Sequence, residues 1–234
     1  PIGVTLTIAT QVLAGPLYQA GVRNYPPLLH VMGQTGSFKT TFCKLALSLF
    51  GDQIHHESPA NWHSTANANS LMTHAVKDAT VLIDDYKVGA IKDEAKRLIN
   101  SYADGSTRLR MTPGQELQEA LAPRGLILST GEDCWDQVAS TQARTLIIDV
   151  DPTTFSIEAL TTSQEMVTNG QLPAFGGLWL SWLAGQPAVQ EGGLLEEIEA
   201  AQKTLASRIP GRVHPRLFGG VASHLVCQNL FGRF

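Results

Sequence analysis

Charge is scarce in this chain. Only 16% of its 234 residues are Asp, Glu, Lys or Arg, and the formal net charge is −4. That excludes broad electrostatic attraction to nucleic acid. Any such contact must come from local clusters of Lys and Arg, or from a ring of such clusters in an oligomer. Cysteine is scarcer still: Cys43, Cys134 and Cys227 are odd in number and far apart. Their spacing excludes a disulfide framework and a metal-thiolate site, and they read as reduced core thiols in a reducing compartment. The longest apolar runs are too short to span a bilayer and none reads as a signal peptide, so no membrane partner is expected and the chain reads as cytoplasmic. It opens on Pro1 and stops at Phe234 directly after an apolar, helix-like pattern, and so reads as a piece of a longer protein. Against these absences, a hydrophobic content of 43% supports a sizeable core, enough for one large domain or a domain with a small lid.

What is present is concentrated in one stretch. Gly33-Gln34-Thr35-Gly36-Ser37-Phe38-Lys39-Thr40-Thr41 follows the apolar run Pro27–Met32 and precedes a helical pattern, Phe42–Leu47. Strand, Gly-rich turn, Lys-Thr, helix is the layout of a phosphate-binding P-loop. Backbone N–H groups of the turn and of the helix N-terminus would converge on a phosphate. Lys39 would meet the β- and γ-phosphates of ATP, and Thr40 would place a hydroxyl on Mg²⁺. The usual pattern has Gly before the Lys, where this chain has Phe38.

Thr80-Val-Leu-Ile-Asp84-Asp85-Tyr86 reads as a buried parallel strand whose two acids emerge at its carboxyl end, 45 positions (84 minus 39) after Lys39. Asp84 is the candidate Mg²⁺ ligand and Asp85 the candidate base for the attacking water. A third strand, about Gly125–Glu132, ends in small polar residues. In a P-loop ATPase with an extra central strand, Ser129 or Thr130 would sense the γ-phosphate or the water. A fourth, Thr145–Val150, follows Arg144, a candidate arginine finger reaching a neighbour's ATP; the alternative is a surface salt bridge.

The remaining pattern is mostly helical. Helices are expected over 4–21, 39–50, 64–77 with Ser64 as N-cap and Leu71, Met72, Ala75 and Val76 on one face, and 93–103. A second strand is placed at 53–57. Residues 106–122 read as a β-hairpin in which Arg108 and Arg110 share a face, either to contact the phosphates of single-stranded DNA in a central channel or as a solvated face. Beyond residue 151 the pattern gives helices at 155–168, 176–184, 190–207 and 214–230, a helical lid over 152–234 following an ATPase core over 1–151. Arg212 and Arg216 are lid residues able to touch ATP from above. Trp62 and His63 read as core and capping residues rather than base-stacking ones.

The loop Gly33–Thr41 with Leu45–Gly51, the segment Trp62-His-Ser-Thr-Ala-Asn67, the strand 80–85, and Leu128–Glu132 with Arg144 downstream together resemble a known family. It is the AAA+-like ATPase (helicase) domain of phage, plasmid and mobile-element primase–helicase proteins, long catalogued as a bacterial domain of unknown function. The resemblance covers about residues 10–150. It implies an α/β P-loop NTPase fold with a five-strand, mostly parallel sheet, a β-hairpin before the sensor strand and a helical lid. It also implies ATP hydrolysis, assembly into a ring such as a hexamer on DNA, a primase or polymerase domain in the parent chain, and a bacterial or phage-infected cell as the setting. Two departures stand out: Phe38 for the family's Gly, and Asp85 for its Glu, a shorter acid from which slower hydrolysis is expected. Two rivals remain on sequence grounds, an ATPase that remodels a protein partner and a non-hydrolysing module that uses nucleotide for assembly.

Overall fold

In this computed structural model the described residues are 2–19, 27–56, 60–87, 92–105, 121, 123–135, 139–209 and 214–234. Two helices, α1 (Ile2–Leu13) and α2 (Gly15–Gln19), lead into β1 (Leu28–Met32). Then come α3 (Lys39–Leu47), a 3₁₀ turn (Ser48–Phe50), β2 (Ala60–Asn61), α4 (Ala66–Ala75), β3 (Thr80–Tyr86), α5 (Lys92–Asp104), β4 (Leu126–Gly131), α6 (Ala139–Gln142) and β5 (Thr145–Asp149). Five helices close the chain: α7 (Ile157–Thr168), α8 (Gln171–Ala184), α9 (Pro187–Gln190), α10 (Leu194–Arg208) and α11 (Pro215–Arg233).

The sheet is five-stranded, in the order β2-β3-β4-β1-β5, with every pairing parallel. The central position of β4 answers to the expected extra strand: it separates the loop strand β1 from the acidic strand β3. Continuous apolar runs suit strands covered on both faces, and β4 is buried along its whole length. The edge strand β5 alternates instead, and its Ile147 is 37% exposed. One apolar cluster lies on the α3 face, where α1 and α3 meet the closing helices through Leu45, Leu49, Trp179, Leu183 and Val226. The other lies under α5 and holds Trp62, Tyr86, Leu98, Ile99, Tyr102 and Trp135. The closing helices are pressed against the α3 side, since a Cβ on Gly176 of α8 would stand 1.7 Å from the Leu49 carbonyl oxygen.

Several local expectations are corrected here. Residues 53–56 form no strand, because the Asp52 carboxylate captures the N–H groups of Ile54 (3.0 Å) and His55 (3.3 Å) and bends the chain into a turn. The second strand is Ala60–Asn61, paired to Ile83 and Asp84. The N-cap of α4 is Thr65, whose hydroxyl accepts from Ala68 N–H at 3.2 Å. The buried face of α4 is polar: Asn69 and Thr73 are covered, while Leu71 is 52% exposed. Asn69 donates to the Asn61 carbonyl (3.1 Å), and the Thr73 carbonyl accepts from Arg124 and Gly125 (3.1 and 2.8 Å), so α4 is stitched to β2 and to the approach of β4. The hairpin expected over 106–122, with Arg108 and Arg110, lies outside the described residues apart from 121, and so does Arg212.

Candidate functional site

At the carboxyl edge of the sheet β1 opens into the Gly33–Phe38 loop. Gly33 N–H donates to the Gly131 carbonyl at 3.1 Å, tying the loop to the end of β4. The Gln34 carbonyl gathers three donors: Ser37 N–H (3.2 Å), the Ser37 hydroxyl (2.8 Å) and Lys39 Nζ (3.2 Å). Gly36 turns at φ 85, which glycine adopts freely. Phe38 also takes the left-handed region, at φ 59 and ψ 13. That conformation is the reason glycine suits this position. Here packing holds a non-glycine residue in it, since the Phe38 side chain is half-buried against the apolar cluster of the α3 face. No side chain caps α3, so its first turn keeps the partial positive charge that favours an anion. Thr40 and Thr41 are half-buried on that turn.

Asp84 is the convergence point. Its Oδ1 accepts from the Thr40 hydroxyl at 3.0 Å and from the Thr130 hydroxyl. Thr130 also accepts from Asp85 N–H at 3.4 Å. Loop, acidic strand and central strand therefore meet through three oxygen side chains. The pairing of β3 with β4 is irregular between Ile83 and Tyr86, and Asp85 sits there at φ 61. A bulge of this kind re-aims a side chain. The Asp85 carboxylate, 44% exposed, stands 3.3 Å from Lys87 Nζ and 3.8 Å from His63 Nε2.

Ser129, one residue before Thr130, faces the other layer. Its Oγ accepts from the Trp62 indole N–H at 2.8 Å and lies 2.9 Å from His30 Nδ1. His30 Nε2 stands 2.8 Å from the Asp133 carbonyl, which can only accept, so this nitrogen carries the proton and Nδ1 accepts from Ser129. Burial is the main reason the His30 pKa falls from 6.5 to about 4; the Asp133 bond opposes the fall and the Lys39 charge adds to it. His30, Trp62, Tyr86 and Trp135 pack edge-to-face or tilted, with the His30 and Trp135 rings 4.5 Å apart. Trp62 is buried, and His63 is exposed beside Asp85. The sequence reading assigned His30 nothing, although it is the one polar residue in Leu28–Met32 and shares a strand face with Leu28.

The arginines lie elsewhere. Arg144 precedes β5 and therefore stands at the amino edge of the sheet, opposite its own loop. It donates to Asp104 at 2.9 Å, and Arg216 donates to the same carboxylate at 3.0 Å. Burial raises the Asp104 pKa, but the two guanidiniums outweigh it and hold the carboxyl below its ordinary range. The Arg144 side chain is 14% exposed and that of Arg216 is 49% exposed.

The donors around Asp84 are all hard oxygens, which suit Mg²⁺. Among the described residues no group of three or more His, Cys, Asp or Glu could hold a metal ion. A site with one carboxylate and one hydroxyl fits Mg²⁺, which takes its remaining ligands from water and phosphates. A cavity of about 190 Å³ lies at the opposite end of β3, between Lys44, Phe50, Val76 and Thr80 to Leu82. It is no part of this cluster.

Residues 4–119 match a family model described as a domain of unknown function, DUF927. A solved structure described as "SCCmec type IV Cch - active helicase" superposes with a TM-score of 0.67 at 15% identity, over 98% of this chain and 43% of that one. A structure of JCV helicase aligns over 90% of this chain and 62% of that one, at 18% identity with a TM-score of 0.43. No curated protein matches. The chain therefore shares the α/β fold of a solved helicase and spans less than half of that helicase's length. Among the described residues no helix is long and apolar enough to cross a membrane.

Proposed function

We propose that this chain is an ATP- and Mg²⁺-dependent motor domain that moves along single-stranded DNA during replication of a mobile element or phage, as part of a homo-oligomeric ring. The observation that carries this reading is the meeting of Thr40, Asp84 and Thr130 beside Lys39, at the mouth of a glycine-containing loop. In this proposal Lys39 leaves the Gln34 carbonyl for the phosphates, and the first turn of α3 adds its backbone donors. Thr40 and Asp84 hold Mg²⁺, which neutralises phosphate charge when bound. The Thr130 hydroxyl donates to the Asp84 carboxylate and accepts from the Asp85 N–H, so it positions both acids. Asp85 takes the proton of the attacking water once its carboxylate leaves Lys87 and His63. Arg144 acts in a neighbouring subunit, its place at the amino edge being remote from its own loop, and Arg216 beside it shares that edge. Arg108 and Arg110 are the proposed DNA contacts, and a primase or polymerase domain the proposed partner in the parent chain.

The test is ATP turnover with and without single-stranded DNA, on a protein long enough to assemble. DNA-stimulated turnover that Lys39→Ala abolishes is the expected result. Nucleotide affinity unchanged in a folded Lys39→Ala protein would overturn the loop assignment. The engagement of Asp85 with Lys87 favours a second reading, a nucleotide-bound assembly module without hydrolysis. A single-turnover assay separates the two, because the module binds ATP and returns it uncleaved.

A further inference from the structure

Glu132 is the first residue past β4 and has no part in the proposed hydrolysis. Its carboxylate accepts a hydrogen bond from the hydroxyl of Thr35, inside the phosphate loop. The main chain around it is fixed at two points. Glu132 N–H donates to the Tyr86 carbonyl at 3.3 Å, at the end of β3. The Asp133 carbonyl accepts from buried His30 at 2.8 Å. Trp135, 4% exposed, then anchors the segment in the aromatic cluster. The carboxylate is thus carried to the loop by a tethered backbone, although the side chain itself is exposed.

A loop that offers backbone donors, a helix N-terminus and Lys39 attracts anions. A carboxylate held on that loop is an anion the protein already supplies. We infer that Glu132 competes with the terminal phosphate of a nucleoside triphosphate for the loop, and must leave Thr35 when a triphosphate binds. Two negative groups on one loop repel, and the repulsion grows with the charge the ligand brings. Glu132 therefore lowers affinity for the triphosphate more than for the diphosphate and acts as a specificity residue of the loop. This inference rests on the proposed nucleotide site.

The test is equilibrium binding of ATP and ADP, with Mg²⁺, to the wild-type chain and to Glu132→Gln, which keeps an acceptor for Thr35 and removes the charge. The expected result is ATP binding tighter on the order of tenfold, with a clearly smaller gain for ADP. Glu132→Ala should show the same preference, which separates charge from hydrogen bonding. Unchanged or weaker ATP binding in Glu132→Gln, or an equal gain for ADP, would overturn the inference while leaving the nucleotide site standing. Absence of nucleotide binding in both wild type and Glu132→Gln would sink the site itself and the inference with it.

Discussion

Ser129 and Thr130 are neighbours on the central strand, and their hydroxyls serve two different regions. Thr130 faces the α3 layer, where it joins Thr40 and Asp84 at the open mouth of the loop. Ser129 faces the α5 layer, where Trp62 and His30 take up its bonds in a dry aromatic cluster. One face sets the half-buried oxygens of Thr40 and Asp84, with buried Thr130 behind them, beside the loop. The other uses polar atoms to fix a unique packing, since a buried polar group is costly unless satisfied. One residue step along a strand is enough to move a hydroxyl from the loop and its acidic strand to the aromatic cluster.

The comparison is broken most strongly through Trp62. Trp62→Ala removes a buried indole and leaves Ser129 without its donor, and should cost about 3–5 kcal/mol in chemical denaturation. A loss below about 1 kcal/mol would mean that the sealed face is not a stabilising cluster. On the open face, Lys39→Ala should lower turnover on the order of a thousandfold. Its stability should stay within about 0.5 kcal/mol of wild type, since among the described residues the ammonium's hydrogen bond is to the Gln34 carbonyl. A cooperative loss of folding would move Lys39 from the site into the scaffold.

Acid sharpens the same contrast. The folded protein holds His30 neutral down to about pH 4, whereas the unfolded chain protonates it near 6.5. Its stabilising contribution is complete above pH 6.5 and is lost as pH falls toward 4, by about 3 kcal/mol. Buried His224, whose pKa is also lowered, chiefly by burial, adds in the same direction. Denaturation midpoints at pH 7 and pH 4.5 should therefore differ, and His30→Gln should remove much of the difference. An unaltered acid limb in His30→Gln would assign the effect elsewhere.

The smallest effect is the most discriminating. Ser129→Ala should cost about 1–3 kcal/mol, by orphaning the Trp62 N–H and His30 Nδ1, with little change in turnover. Thr130→Ala should slow turnover by at least about tenfold. Equal turnover losses in the two variants would erase the distinction between the faces.

Much of this was legible in the chain. β1, β3 and β4 were readable because a strand buried on both faces must be a continuous apolar run, β5 because Leu146–Ile148 is such a run although the strand stands at the sheet edge, and the loop because its residue types serve one geometry. Which of Ser129 and Thr130 would face the Gly33–Phe38 loop was not readable. That depends on which layer covers which face, and alternation alone does not say. The turn of Asp85 was hidden too, because a bulge exists only relative to a partner strand. Ala60–Asn61 is too short to carry a strand pattern and is extended through its pairing with β3. The polar face of α4 defeated periodicity, because it is held down by the Asn69 amide on the Asn61 carbonyl and by the Thr73 main-chain carbonyl on Arg124 and Gly125 rather than by apolar area.

The strand order has a consequence for how this chain must be made. β1 finds its partners only in β4 and β5: Leu29 pairs with Leu128, 99 residues later (128 minus 29), and Leu28 with Thr145, 117 later (145 minus 28). At about 5–20 residues per second a ribosome needs on the order of ten seconds to supply them. Throughout that interval Leu28–Met32 has both edges open, the condition under which apolar strands aggregate. A segment cut to residues 4–119 would hold β1 in that state permanently, with the loop attached to a strand that has no sheet.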